Sequence, residues 1–168
     1  MVSIRPAIPS DIDRIAQLHA ASWQSAYAGD FSTDRLNGSL TRELMALWDR
    51  YESKPTDIVL VAENDDPSRP LLGFCAIWCE ETPYLDNLHV LPNAKGRGIG
   101  RSLLAEAAAE LKRRGFTTLY LTVFETNAAA RKFYASLEGR EVAVFVDDIF
   151  GDPVPSVKVV WDELSALL

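Results

Sequence analysis

Cysteine is scarce in this chain. Cys75 and Cys79 are the only two. They lie four apart in the apolar run that begins at Leu72, so on a strand they point the same way but sit too far apart for a disulfide. Two buried thiols in a reducing compartment is the reading. With only two histidines and no C-x-x-C spacing, no metal site is expected. An excess of positive charge is also missing: 17 lysines and arginines face 24 aspartates and glutamates, for a net charge of −7 and a pI near 4.8. That argues against a nucleic-acid partner, which calls for a basic face. It leaves open a cationic partner such as an amine, or charge that only maintains solubility. No apolar run approaches the roughly 18 residues of a membrane span, and no basic-then-apolar leader opens the chain. A soluble, cytoplasmic protein without a membrane partner is expected. Repeats, low-complexity segments and linkers are absent too, so residues 1–168 read as a single domain.

What is present suits a folded core, since 48% of the residues are hydrophobic. Residues 2–8 read as a short edge strand with Pro6 and Pro9 near its end. Ser10 can cap a helix that carries Ile12, Ile15, Leu18, His19 and Ser22 on one face, runs on through Trp23 and Tyr27, and stops at Gly29. A second helix is expected from Ser32 or Thr33 to about Ser53, weakened by Gly38. Strands follow at 57–63 and 71–79, joined by a turn through Asn64, Asp65, Asp66, Pro67 and Ser68. Further strands are predicted at 117–124, 141–146 and 157–161, with a helix over 127–137 and a loop at Gly151, Asp152 and Pro153. This order describes an α/β (α+β) chain with a mixed sheet of about seven strands and about four helices.

The stretch from Tyr84 to Gly115 organises the rest. An apolar strand runs to Pro92, which stops it. A helix follows with Ile99, Leu103, Ala107 and Leu111 on one face and Arg113, Arg114 and Gly115 at its end. Between them lie Gly96, Gly98 and Gly100. Glycines let the backbone approach a ligand closely, and a helix amino terminus offers unpaired N–H groups and a positive dipole end. The combination makes a phosphate or pyrophosphate site. It is not the dinucleotide fingerprint, since Arg101 stands where a third glycine belongs, nor a Walker loop, since Arg101 replaces its lysine. An ATP- or NAD-binding enzyme is therefore disfavoured.

The pattern Lys95-x-x-Gly98-x-Gly100, preceded by Leu88-His89-Val90-Leu91-Pro92, resembles the coenzyme A signature of the GNAT N-acetyltransferase superfamily, usually (Gln/Arg)-x-x-Gly-x-(Gly/Ala). Lys95 departs from it. A second stretch, Asn127 to Tyr134, is similar to the family's N-x-x-A-x-x-F-Y segment in Asn127, Ala130, Phe133 and Tyr134. The family's usual Leu-Gly-Phe ending is here Leu137-Glu138-Gly139-Arg140. The element order also matches the GNAT fold.

The resemblance implies an acetyl-CoA-dependent N-acetyltransferase acting on a small-molecule or peptide amine, with acetyl-CoA as co-substrate. It implies that Lys95, Gly96, Arg97, Gly98, Ile99, Gly100, Arg101 and Ser102 hold the pyrophosphate, that Leu88, His89 and Val90 bond the pantetheine arm, and that Asn127 contacts the cofactor. The Val90 N–H would polarise the acetyl oxygen, and Tyr134 would protonate the leaving thiolate. Asp86 or a water chain would take the amine's proton; Glu80, Glu81, Tyr84 and His89 are the other groups nearby. By alternation Tyr84 and Asp86 share one strand face and His89 the other, unless a bulge intervenes. Trp23, Tyr27 and Tyr84 would shape the acceptor pocket, although core packing explains the first two equally well. Cys75 and Cys79 are expected to lie away from both motifs. Family members often dimerise, so a homodimer is an open expectation. The alternative is a non-catalytic acyl-CoA-binding module, which would need the glycine loop but not Tyr134.

Overall fold

The structure, a computed structural model, describes residues 2–66, 68 and 70–168. Residue 67 of the expected turn lies outside the described residues. Seven strands form one mixed sheet in the order β1-β2-β3-β4-β5-β7-β6. They are β1 (Val2–Pro6), β2 (Ile58–Asn64), β3 (Gly73–Trp78), β4 (Tyr84–Val90), β5 (Leu119–Phe124), β6 (Arg140–Ile149) and β7 (Asp152–Trp161). The helices are α1 (Ile12–Ala26), α2 (Thr33–Arg35), α3 (Thr41–Asp49), α4 (Ile99–Arg113) and α5 (Ala128–Ala135).

Two apolar layers sandwich the sheet. Beneath α1 and α3, Ile15, Leu18, Trp48, Val61 and Phe74 pack together. Beneath α4 and α5, Leu103, Leu104, Ala107, Leu111, Leu119 and Trp161 pack against Cys75 and Ile77. An ion-pair cluster ties the sheet edge to α1. The buried Asp11 accepts from Arg5 at 2.6 and 3.1 Å and from Arg14 at 3.0 Å, while Glu63 accepts from Arg5 at 2.7 Å and from Arg14 at 3.1 Å.

Three local expectations change. The single helix expected to about Ser53 is broken: α2 passes into a wide π turn at Leu36–Leu40, and α3 ends at Asp49. Gly38 sits in that wide turn, where the absence of a side chain favours irregular backbone. The last two strands are longer than alternation suggests, because β6 and β7 pair all the way to Ile149 and Asp152. The loop expected at Gly151, Asp152 and Pro153 shrinks to a tight turn in which Phe150 and Gly151 take φ of 53° and 87°. At the end of α5, Glu138 takes the left-handed position (φ 63°) that a glycine fills in the family pattern.

The third change bears on the site. Ile77 pairs with Leu85, but Ala76 pairs with Asn87, so Asp86 is an extra residue: a β-bulge. The bulge shifts the phase of β4. Tyr84, Asn87 and His89 lie opposite Trp78, Ala76 and Phe74 and face the α1 layer, whereas Leu85, Leu88 and Val90 face the α4 layer. The expectation that His89 lies opposite Tyr84 and Asp86 is therefore corrected by that bulge: Tyr84 and His89 share a face, and the Asp86 carboxyl bonds to Tyr84, Trp78 and Asn87.

Candidate active site

β4 and β5 share one register pair among the described residues, Tyr84 with Tyr120. Beyond it they splay, leaving the Leu85–Val90 edge of β4 facing a gap. A cleft of about 710 Å³ fills that gap. The start of α4 stands at one end, and α1, Asp86 and the tip of the β6–β7 hairpin at the other.

The glycine loop turns a run of backbone amides outward. Gly96 and Gly98 take φ of 76° and 77°, which only glycine adopts without strain. Among the described residues, the amides of residues 96 to 101 find no backbone carbonyl, whereas Ser102 N–H donates to the Gly98 carbonyl at 3.0 Å. Ser102 is thus corrected as an amide donor, and neither it nor Arg97 lines the cleft. Lys95, Gly96, Gly98, Ile99, Gly100 and Arg101 do line it. A Cβ on Gly100 would meet Val90 and Phe133 at 3.6 and 3.7 Å, ordinary contact distances. The family signature's tolerance of alanine there has this reason, and its strict glycine at position 98 follows from the positive φ.

Tyr134 is buried at the α5 wall, edge-on to Phe133 and Trp161. Burial raises its phenol well above the usual range, so it stays protonated at neutral pH. Asn127 caps α5, its Oδ1 accepting from Ala130 N–H at 3.1 Å and its Nδ2 donating to the Tyr27 hydroxyl at 3.3 Å. Trp23 and Tyr27 pack with Phe31 and Phe124, and both line the cleft.

Asp86 is exposed to the cleft yet hemmed in by protein. That desolvation raises its carboxyl against the lowering effect of bonds from Trp78, Asn87 and Tyr84. Asn87 Nδ2 donates to it at 2.6 Å. Burial also lifts the Tyr84 phenol to about 12, with Asp86 and Asp147 adding to the shift; its hydroxyl pairs with Thr122 Oγ1 at 3.2 Å. His89 is pushed down to about 3 by burial and by the charge of Lys95. Leu88, His89 and Val90 all line the gap. Cys75 is not remote after all: it pairs with Leu88 and lies within electrostatic reach of Tyr134. Its thiol, lifted to about 12 by burial, is a poor nucleophile there.

The sequence reading missed several cleft residues. Asn87 and His19 come to the cleft through the bulge and the α1 packing, and Asp147, Asp148, Ile149 and Phe150 through the extended β6. The α1 face that groups His19 with Ser22 was the one available signal.

The architecture is thus an α/β domain whose central sheet opens between two strands beside a glycine-rich helix start. Comparison with known proteins identifies the class. Residues 14–138 match the model of the Acetyltransferase (GNAT) family, and the chain belongs to that family. It is 31% identical to YuaI of Bacillus subtilis strain 168, an uncharacterized N-acetyltransferase, over 99% of this chain and 96% of that one. Over 60 residues, covering 36% of this chain and 40% of the relative, it is 42% identical to the ribosomal protein bS18-alanine N-acetyltransferase of Escherichia coli K12. Its fold resembles that of the PaiA N-acetyltransferase of Thermoplasma acidophilum in complex with coenzyme A, with a TM-score of 0.72 and 24% identity over 94% of this chain and 98% of that one. The protein is an N-acetyltransferase enzyme with the GNAT fold. No described helix is long and apolar enough to cross a membrane.

Proposed function

We propose that the protein, acting as one domain over residues 1–168, transfers the acetyl group of acetyl-CoA to a primary amine by direct attack in a ternary complex. The observation that carries this is the splay of β4 from β5, which opens next to the unpaired amides of residues 96 to 101. Those amides and Lys95 hold the diphosphate. Each charge-assisted bond contributes about 1.5–3 kcal/mol. The free edge of β4 at Leu88, His89 and Val90 takes the pantetheine arm as an added strand would.

In the reaction, the amine lone pair attacks the thioester carbonyl carbon. Negative charge gathers on the carbonyl oxygen, where the Val90 N–H stabilises it. One such donor is worth about 10²–10³ in rate. The carbon–sulfur bond then breaks. Asp86, directly or through water, accepts the amine's proton; its raised carboxyl makes it a better base than an ordinary aspartate. Tyr134 gives its phenolic proton to the departing thiolate. A thiolate in that same apolar surrounding becomes strongly basic, as the lifted Cys75 thiol beside it shows.

Purified protein is mixed with acetyl-CoA and an amine panel, and free thiol is followed. Turnover on at least one amine is expected, with Tyr134→Phe lowering kcat by about 10²-fold and leaving coenzyme A affinity intact. Tight coenzyme binding without turnover on any amine would refute the catalytic reading in favour of an acyl-CoA-binding module.

A further inference from the structure

Among the described residues, one buried side-chain nitrogen has no hydrogen-bond partner: Nε2 of His19. His19 lies on α1, is 3% exposed, and lines the cleft. Its other nitrogen is committed, since Trp48 Nε1–H donates to Nδ1 at 2.9 Å. An indole nitrogen can only donate, so Nδ1 carries no proton. The single ring proton of His19 is therefore on Nε2. Burial and the nearby His89 keep the ring neutral. His19 is a fixed donor without an acceptor, and such a group is costly to bury.

No described neighbour accepts from this donor. The His89 ring lies 4.6 Å from it, centroid to centroid, but His89 Nδ1 is engaged with Ser22 Oγ at 2.9 Å. His89 directly precedes Val90, whose N–H faces the acetyl oxygen in the proposed reaction. The charges lining the cleft are segregated: the cations Lys95 and Arg101 belong to the phosphate loop, while Asp86, Asp147 and Asp148 are anionic. The acceptor end thus offers carboxylates for an ammonium group and a neutral donor for an oxygen, with no cation for a carboxylate.

We infer that His19 Nε2–H receives the carbonyl oxygen of the acetyl acceptor, and that the acceptor is an α-amino amide such as a peptide amino terminus. In such a compound the amine nitrogen and the carbonyl oxygen are separated by about 3 Å, so one acceptor can present both groups to the same end of the cleft. A polyamine or alkylamine has no oxygen for His19. A free amino acid brings a carboxylate among the three aspartates. This inference rests on the acetyltransferase reading and refines its substrate.

The test uses the full chain with three acceptors: a tripeptide with a free amino terminus, its first residue as the free amino acid, and an alkylamine of similar length. The wild-type protein should favour the tripeptide. In His19→Asn the amide oxygen can replace Nδ1 as acceptor for Trp48 while the Nε2 donor is lost. The ratio of kcat/KM for tripeptide over alkylamine should fall about three- to tenfold, the worth of one neutral hydrogen bond, with the loss carried in KM. A ratio unchanged by His19→Asn, or a wild-type preference for the alkylamine or the free amino acid, would overturn the inference. A second readout is independent of turnover and of the variant's folding. In wild-type protein with ring-15N-labelled histidine and bound coenzyme A, the His19 Nε2–H signal should move on addition of the tripeptide and not of the alkylamine. Acetylation of amines with that signal unmoved by the peptide sinks the subsite and leaves the enzyme reading standing. A moved signal without acetylation of any acceptor does the reverse.

Discussion

Two adjacent residues at the end of α5 should respond to substitution with opposite signs. Gly139 lies against the back of the Tyr134 site. A Cβ there would sit 2.7 Å from Trp161 Cζ2, 2.8 Å from Val159 Cγ1 and 2.9 Å from the Tyr134 carbonyl oxygen. Comfortable separations are about 3.5–4.0 Å. None of the three can easily retreat. Trp161 is held by its Nε1–H bond to the Leu137 carbonyl at 2.7 Å, Val159 is in β7, and the Tyr134 carbonyl accepts from Gly139 N–H itself at 2.9 Å. Gly139→Ala should therefore cost about 3 kcal/mol, the upper end for overpacking a tight core. For a chain of this size that lowers Tm by about 6–12 °C. Glu138 next to it holds φ at 63°. The left-handed strain is about 1–2 kcal/mol for a residue with a Cβ, offset by about 0.4–1 kcal/mol of extra freedom that glycine adds to the unfolded chain. Glu138→Gly should thus stabilise by about 0.5–1 kcal/mol. Urea unfolding with an unchanged m-value measures both. A Gly139→Ala cost below about 1 kcal/mol, together with a destabilising Glu138→Gly, would show that the α5 terminus is not packed as described.

Gly98→Ala forces a side chain into φ 77° with no atom within 4 Å of the new Cβ. Its strain of about 1–2 kcal/mol should weaken coenzyme A binding about five- to thirtyfold by calorimetry, whereas Gly100→Ala should bind nearly as the wild type does. Stability should fall with acid. His89 titrates at about 3 when folded and near 6.5 when unfolded, so below pH 6.5 the unfolded chain binds the extra proton; at pH 5 this removes about 2 kcal/mol. The lowered His19 acts in the same direction. Denaturation midpoints that stay level between pH 7.5 and 5 would contradict the burial of both rings. Asp11→Asn removes the buried anion shared by Arg5 and Arg14 and should cost about 1–3 kcal/mol, discounted because both arginines are partly exposed; an unchanged urea midpoint would deny the cluster its structural role.

Element order was legible because periodicity reports it directly. The apolar spacing from Ile99 to Leu111 marks α4, and all six residues that it buries lie on the face so marked. The glycine loop was legible for a different reason: positive φ restricts the residue type, so the motif records backbone shape. The bulge was not legible. Alternation counts residues, and a surplus residue in Tyr-Leu-Asp-Asn-Leu leaves no trace until β3 supplies the register. The length of β6 was hidden because Asp147 and Asp148 look like the start of a turn, yet pairing with Val154 and Pro153 carries the strand on. Pro153 likewise suggested a loop, yet it and Pro155 both lie within β7. The registered ladder of β5 ends at Phe124 opposite Ser156, and one bond carries the edge on, the Pro155 carbonyl accepting from Glu125 N–H at 2.8 Å. The end of the cleft away from the glycine loop combines α1, β4 and the β6–β7 tip. Residues so far apart in the chain carry no joint signal in a single sequence.

The surplus position on β4 separates chemistry from architecture. Excising Asp86 would leave Leu85 against Ile77 and Asn87 against Ala76, an unbroken ladder with every remaining side chain on its original side. Excising Leu85 instead would bring Asp86 opposite Ile77 and pull a polar group into the apolar α4 layer. The residue proposed to take the proton is thus the one whose size, charge or very presence the sheet can most easily do without, which makes it a natural place for catalytic tuning without refolding.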